Sequence, residues 1–227
     1  MFVPKKYIFE TQQTKFRRFL ANSFIIFVIL IIGYSSLCGF LIYFSKKQNQ
    51  LSSNPLGRTP PDLVAIFTGD GGRITDGLNI LRSNSFTQLF ITGVYNRNTI
   101  NSLLKASKTP PLNDKELARI EIDYLARNTV ENVISTLLYL RKQKQFKKIQ
   151  IISSDYHLAR IQLILNKVKS QEDLEFNFQL RGRPSNYKQL RTYKILYREV
   201  YKLIKTFAFL LLWDNEVPVT IVHNLSD

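Results

Sequence analysis

Cysteine is nearly missing from this 227-residue chain, with Cys38 its sole example. That excludes a disulfide framework and any cysteine-rich zinc site. Two histidines, His157 and His223, leave little scope for a histidine-based metal centre. Carboxylates are scarce as well: 17 acidic against 32 basic residues give a formal charge of +15. Such an excess suits nucleic acid or an anionic lipid surface. No zinc-finger, RRM-like or Gly-rich basic motif supports the first of these. A P-loop is missing, Gly-x-Gly-x-x-Gly fails at Thr75, and there is no Gly-x-Ser-x-Gly elbow. With 44% apolar and 22% charged residues, the chain has the hydrophobic content for one substantial core.

Charge is absent altogether from Phe19 to Phe44, where Ile, Leu, Phe and Val dominate. At ~1.5 Å per residue this stretch crosses a ~30 Å hydrocarbon core, and it predicts a transmembrane helix over 19–44. No small-residue cleavage site follows Leu41, and Leu37 directly before Cys38 does not fit a lipoprotein box. Lys5, Lys6, Lys15, Arg17 and Arg18 precede the span, whereas Lys46, Lys47 and Arg58 follow it. The bias predicts a cytoplasmic N-terminus. In a bacterium the remainder then lies on the periplasmic face of the inner membrane, away from nucleic acid. The organisation expected is a basic cytoplasmic tail (1–18), the transmembrane helix (19–44), a polar, proline-containing tether (45–61) and a folded domain (62–227).

Within that domain, short apolar runs alternate with helical patterns. Strands are expected at Leu63–Thr68, Gln88–Thr92, Glu121–Tyr124, Lys148–Ser153 and Leu174–Leu180. Helices are expected at Ile74–Ser83, Thr99–Ser107, Thr129–Lys142, Tyr156–Lys169 and Lys188–Leu212. Alternation of this kind predicts an α/β fold, a mostly parallel sheet with helices on both faces. Ligands of such sheets bind beyond the carboxyl ends of the strands, and the polar clusters sit there.

The first cluster is Gly69-Asp70-Gly71-Gly72-Arg73. It serves either as a tight turn or as a nest of N–H groups for an anion, with Arg73 adding a bidentate donor. Gly93 closes the second strand. After the third, Asn128 and Glu131 fit a capping box, while Asn128, Thr129 and Asn132 can equally present donors to a ligand. After the fourth come Ser153, Ser154, Asp155, Tyr156 and His157, with Arg160 one turn later. A histidine at a helix start is either structural or a neutral general base. Asp155 can cap the helix, orient His157 or bind a ligand. His157, Glu131 and Asp155 are the catalytic candidates; the other residues of these clusters are ligand-binding candidates. Asp70, Asp76, Glu131 and Asp155 could hold a divalent cation, yet no spacing specifies one, and the sequence names no cofactor.

The last helix pattern carries a basic stripe: Arg191, Lys194, Arg198, Lys202 and Lys205. It is either a solvated face or a contact with anionic lipid headgroups. Tyr193, Leu196, Val200, Leu203, Ile204 and Phe207 are expected to pack on the sheet, with Glu199 on the border.

Four blocks together resemble the YdcF/SanA/ElyC family of bacterial envelope proteins: Val64–Ile74, Leu89–Val94, Asn128–Asn132 and Ile152–Arg160, the last containing Ser-x-Tyr-His-x-x-Arg. The resemblance spans roughly residues 62–212. It implies a Rossmann-like domain acting in cell-envelope or peptidoglycan biogenesis at the polyprenyl-phosphate carrier. It implies shared pocket residues Gly71, Gly72, Arg73, Thr129, Asn132, Tyr156, His157 and Arg160, with a weaker match at Glu199. Asp70 and Val94-Tyr95-Asn96 depart from the family's small residues. Three kinds of function remain open. One is a factor that binds a phosphate-bearing precursor or lipid carrier, with or without hydrolase or transferase turnover. Another is an interaction module for envelope synthases. The third is a nucleotide- or S-adenosylmethionine-binding domain.

Overall fold

The structure, a computed structural model, describes residues 11–53, 59–69, 71–106 and 109–213. The chain forms two compact units, Met1–Phe40 and Leu41–Asp227. One helix, α1 (Gln12–Ser53), runs from the first into the second. Its mean hydropathy reaches 2.6, so it is long and apolar enough to cross a membrane. The helix overruns the charge-free segment at both ends. Residues 45–53, expected in an irregular tether, are therefore helical, since Lys46 to Leu51 contain no helix breaker. Asn49 ties this end to the domain: its side chain donates to Gly182 O at 2.8 Å and accepts from Gly182 N at 2.7 Å.

The domain is α/β with five parallel strands in the order β3-β2-β1-β4-β5. These are β1 (Leu63–Phe67), β2 (Gln88–Thr92), β3 (Ile120–Ile122), β4 (Lys148–Ser154) and β5 (Asn177–Arg183). The helices are α2 (Arg73–Ser83), α3 (Ile100–Ala106), α4 (Asp114–Leu117), α5 (Thr129–Lys142), α6 (Leu158–Val168) and α7 (Leu190–Leu211). Side-chain alternation along β1 divides the core. Leu63, Ala65 and Phe67 pack with Val133 and Leu137 of α5 and Ile161 and Ile164 of α6. Val64 and Ile66 face Leu78 and Leu81 of α2 and Leu104 of α3. All five β1 residues are buried, as expected of a central parallel strand covered on both faces.

Three sequence expectations shift. The fifth strand begins at Asn177, not Leu174. Ser170 and Asp173 cap a 3-10 turn over Gln171–Glu175, and Arg141 of α5 pins Asp173 at 2.7 Å, leaving Leu174 exposed. The third strand is shorter than expected, which frees Tyr124 from the sheet. On α7, Leu196, Glu199, Val200 and Leu210 are buried, whereas Tyr193, Ile204 and Phe207 face outward. The helix packs on α6 and the rim beyond the sheet, so the covered face is narrower than the apolar stripe.

Candidate functional site

Strand order reverses between β1 and β4, and a crevice opens at the carboxyl end of the sheet where these strands diverge. It holds a cavity of about 760 Å³. The β1 and β2 ends contribute Thr68, Gly69 and Gly93; the start of α5 contributes Asn128, Thr129 and Asn132. Tyr156 and His157 come from the turn after β4, and Ile195, Glu199 and Lys202 from α7. A second cavity of about 340 Å³ shares Thr68, Gly69, Arg73 and Gly93 and adds Gly71 and Gly72.

Two glycines are required by the backbone. Gly72 has φ of 89°, and a Cβ there would collide with the Arg183 guanidinium at 2.1 Å. Arg183 in turn donates to Gly72 O at 2.7 Å and pairs with Asp76, holding the loop against β5. Gly93 has φ of 74°, with Asn132 and Thr68 at 2.9 and 3.0 Å from a hypothetical Cβ. Asp70 lies outside the described residues, as does His223.

Arg73 combines two roles. Its Nη1 donates to Phe67 O at 2.6 Å and Thr68 O at 3.0 Å, and Nη2 donates to Ser154 Oγ at 2.5 Å. It therefore bolts the ends of β1 and β4 together while bringing a buried positive charge to the cavity wall.

The centre of the site is a hydrogen-bonded chain. Glu199 Oε1 lies 2.7 Å from His157 Nδ1 and accepts from Arg160 Nε at 2.7 Å. Thr129 Oγ1 is 3.2 Å from His157 Nε2 and accepts from Arg160 Nη1 at 2.6 Å. Lys202 Nζ stands 3.6 Å from the other Glu199 oxygen. Burial alone raises the Glu199 carboxyl, but the hydrogen bonds and charges of His157 and Arg160 outweigh it and hold the group at about 2. Glu199 is thus ionised at neutral pH and can only accept. Its short contact assigns the imidazole proton to Nδ1 and leaves Nε2 as an acceptor toward Thr129. Arg160 Nη2 approaches Nδ1 at 2.8 Å, which in this tautomer is a contact without a hydrogen bond. Burial, assisted by Arg160 and Arg73 and opposed by Glu199, lowers the His157 pKa. A neutral, oriented imidazole facing a cavity is the form that accepts a proton.

Several sequence candidates stand elsewhere. Glu131, a catalytic candidate, is a cap: it accepts from Arg127 N at 2.6 Å and from the Asn128 side chain, while Asn128 Oδ1 accepts from Glu131 N at 3.0 Å. The Asp155 carboxylate, also a catalytic candidate, accepts from Ser185 N and Oγ at 2.9 and 2.6 Å and anchors the loop into α7. Ser153, Ser154 and Arg160 lie behind the cavity wall. Among the described residues no three His, Cys, Asp or Glu side chains group as metal ligands. Sequence reasoning did not single out Thr68, Tyr124 or Ile195, and it read Lys202 as surface only. Their signal is modest: a polar or aromatic residue just past a strand, and the flank of an amphipathic helix.

Among the described residues, Arg73, Arg127 and Lys202 line the cavity against one carboxylate, Glu199, which Arg160 and Lys202 already offset. The N-terminal end of α5 opens on the same space. The cavity wall therefore carries more positive than negative side chains among the described residues. Comparison with known protein families, with curated proteins and with solved structures finds no match.

Proposed function

We propose that this chain is a membrane-anchored cell-envelope biogenesis factor whose rim cavity binds a phosphate-bearing precursor or the polyprenyl-phosphate carrier. The observation that carries the reading is the cationic cavity wall: Arg73, Arg127, Lys202 and the α5 N-terminus surround a space whose carboxylate among the described residues, Glu199, is offset by Arg160. The resemblance to the YdcF/SanA/ElyC family supports it through the same blocks, and the strand order supports a Rossmann-like three-layer sandwich. In this reading α1 crosses the bacterial inner membrane once, with the N-terminus cytoplasmic and the domain periplasmic. A lipid-linked phosphate is then available at the membrane that holds the protein.

Arg73 is a poor probe, since removing it also unbolts two strands. Arg127 and Lys202 are exposed. The test is native mass spectrometry of the full-length protein from mild detergent, beside Arg127→Glu/Lys202→Glu. A co-purifying polyprenyl phosphate or lipid-linked precursor, lost in the double variant, is expected. Wild-type protein that stays empty after these lipids are added back defeats the reading.

One observation favours a second reading, an interaction module for envelope synthases. Tyr193, Tyr197, Tyr201 and Ile204 form an exposed stripe on α7, and aromatic residues of this kind are enriched at protein interfaces.

A further inference from the structure

Phosphate binding does not explain why a threonine hydroxyl is held between an imidazole and a guanidinium. Thr129 is the first residue of α5, nearly buried yet part of the cavity wall. Its Oγ has one hydrogen and two lone pairs. With the imidazole proton on Nδ1, the hydroxyl donates to His157 Nε2 at 3.2 Å and accepts from Arg160 at 2.6 Å, and Thr129 lines the cavity. Behind the imidazole, Glu199 fixes the tautomer through Nδ1 at 2.7 Å. Hydroxyl, imidazole and carboxylate in this order are the nucleophile, base and orienting group of acyl- and phosphoryl-transfer triads.

We propose that Thr129, His157 and Glu199 form a nucleophilic triad in which Thr129 Oγ attacks the phosphorus of the bound phosphate ester. The inference rests on the anionic-ligand reading above and adds a reaction to it. His157 Nε2 takes the Thr129 proton as the Oγ–P bond forms. The P–O bond to the leaving alcohol breaks, and that oxygen receives the proton from His157. Water then gives a proton to Nε2, attacks phosphorus and breaks the Oγ–P bond, and the proton returns to Thr129. The net change is hydrolysis of a phosphate ester, with no oxidant, reductant or metal in the balance. Arg160 stabilises the charge developing on Oγ. Within α5 the N–H of Glu131 goes to the Asn128 side chain and that of Asn132 to Asn128 O. The N–H groups of Thr129 and Val130, which a helix cannot satisfy internally, stand at the same end as charge builds on phosphorus.

The test treats full-length protein in detergent with an alkyl fluorophosphonate, whose fluoride leaves as Oγ–P forms and whose adduct does not turn over. Intact mass and peptide mapping are expected to place one adduct on Thr129. Thr129→Ser should label at the same position, Thr129→Val should not label, and His157→Asn should label at least ~100-fold more slowly. Glu199 is a positioning residue. The groups around the imidazole are Glu199, Arg160 and Arg73, with Lys202 on the far side of Glu199. Glu199→Gln should therefore slow labelling and move the acid limb of its pH profile to lower pH, a displacement that mere loosening of the fold would not produce. No adduct on Thr129 in folded wild-type protein, or equal labelling of Thr129→Val, overturns the triad. Farnesyl phosphate is expected to protect Thr129. An adduct that forms without such protection keeps the triad and refutes the phosphate-ligand reading, whereas a co-purifying lipid phosphate without an adduct does the reverse.

Discussion

Glu199 and His157 stand 42 positions apart in the chain, yet their side chains meet at 2.7 Å. The contact joins α7 to the turn after β4 and sets which imidazole nitrogen faces the cavity. Glu199 is almost fully buried and also carries Arg160 at 2.7 Å. Removing its charge leaves the Arg160 guanidinium, on a side chain only 11% exposed, without this counter-ion. Glu199→Gln should lower stability by about 3 kcal/mol, measured by chemical denaturation in detergent.

The same pair sets the acid response. Both folded-state pKa values lie below the ordinary ones of 6.5 for histidine and 4.5 for glutamate. In each case the unfolded chain binds the proton more readily, so the contribution is complete above the unfolded value and is lost as pH falls. Stability should decline below pH 6.5 as His157 is drawn to protonate, and again between 4.5 and about 2 as Glu199 does. Glu199→Gln should flatten the second decline in a pH series of thermal unfolding.

Much of this site is legible in the sequence because a parallel sheet places every strand end on one rim. Gly69, Gly93, Thr129, Asn132 and His157 are polar or small residues in the stretches that follow the apolar strands, and all reach the cavity. Glu131 and Asp155 carry the same signal but act differently. A carboxylate beside a helix start serves a cap or a loop as readily as a ligand, and only tertiary partners such as Ser185 decide. Glu199 is visible as an acid at the edge of an apolar stripe and His157 as a histidine after a strand end; their pairing is not, since nothing local links α7 to β4. The displaced fifth strand has the same cause, because Arg141 and Asp173 are a tertiary pair.

Gly93 is the narrowest part of the rim. Alanine there takes a left-handed backbone with a Cβ 2.9 Å from Asn132. Gly93→Ala should cost about 1–2 kcal/mol from the backbone alone and weaken ligand binding by displacing the Asn132 amide. Thermal unfolding and ligand titration read the two effects separately.

Arg73→Ala removes the donors to Phe67 O, Thr68 O and Ser154 Oγ in a buried setting. Buried hydrogen bonds from a charged donor contribute about 1.5–3 kcal/mol each, so the variant should be destabilised by at least about 3 kcal/mol. Limited proteolysis should then cut the domain readily, and Arg73→Lys should recover part of the loss.

The stripe on α7 makes the opposite expectation. Tyr197 and Tyr201 are 56% and 64% exposed. Tyr197→Ala and Tyr201→Ala should each change stability by less than about 0.5 kcal/mol in thermal unfolding. If the stripe is a docking face for envelope synthases, the same variants should lose partner capture while keeping lipid binding.

That the cavity recognises phosphate on a lipid is tested most directly by calorimetric titration of the full-length protein in detergent with farnesyl phosphate and with farnesol. Binding of the phosphate, competition by inorganic phosphate and no binding of the alcohol are expected, with affinity lost in Arg127→Glu/Lys202→Glu. Equal binding of alcohol and phosphate, or phosphate binding unchanged in the double variant, would contradict the assignment of this cavity to an anionic ligand.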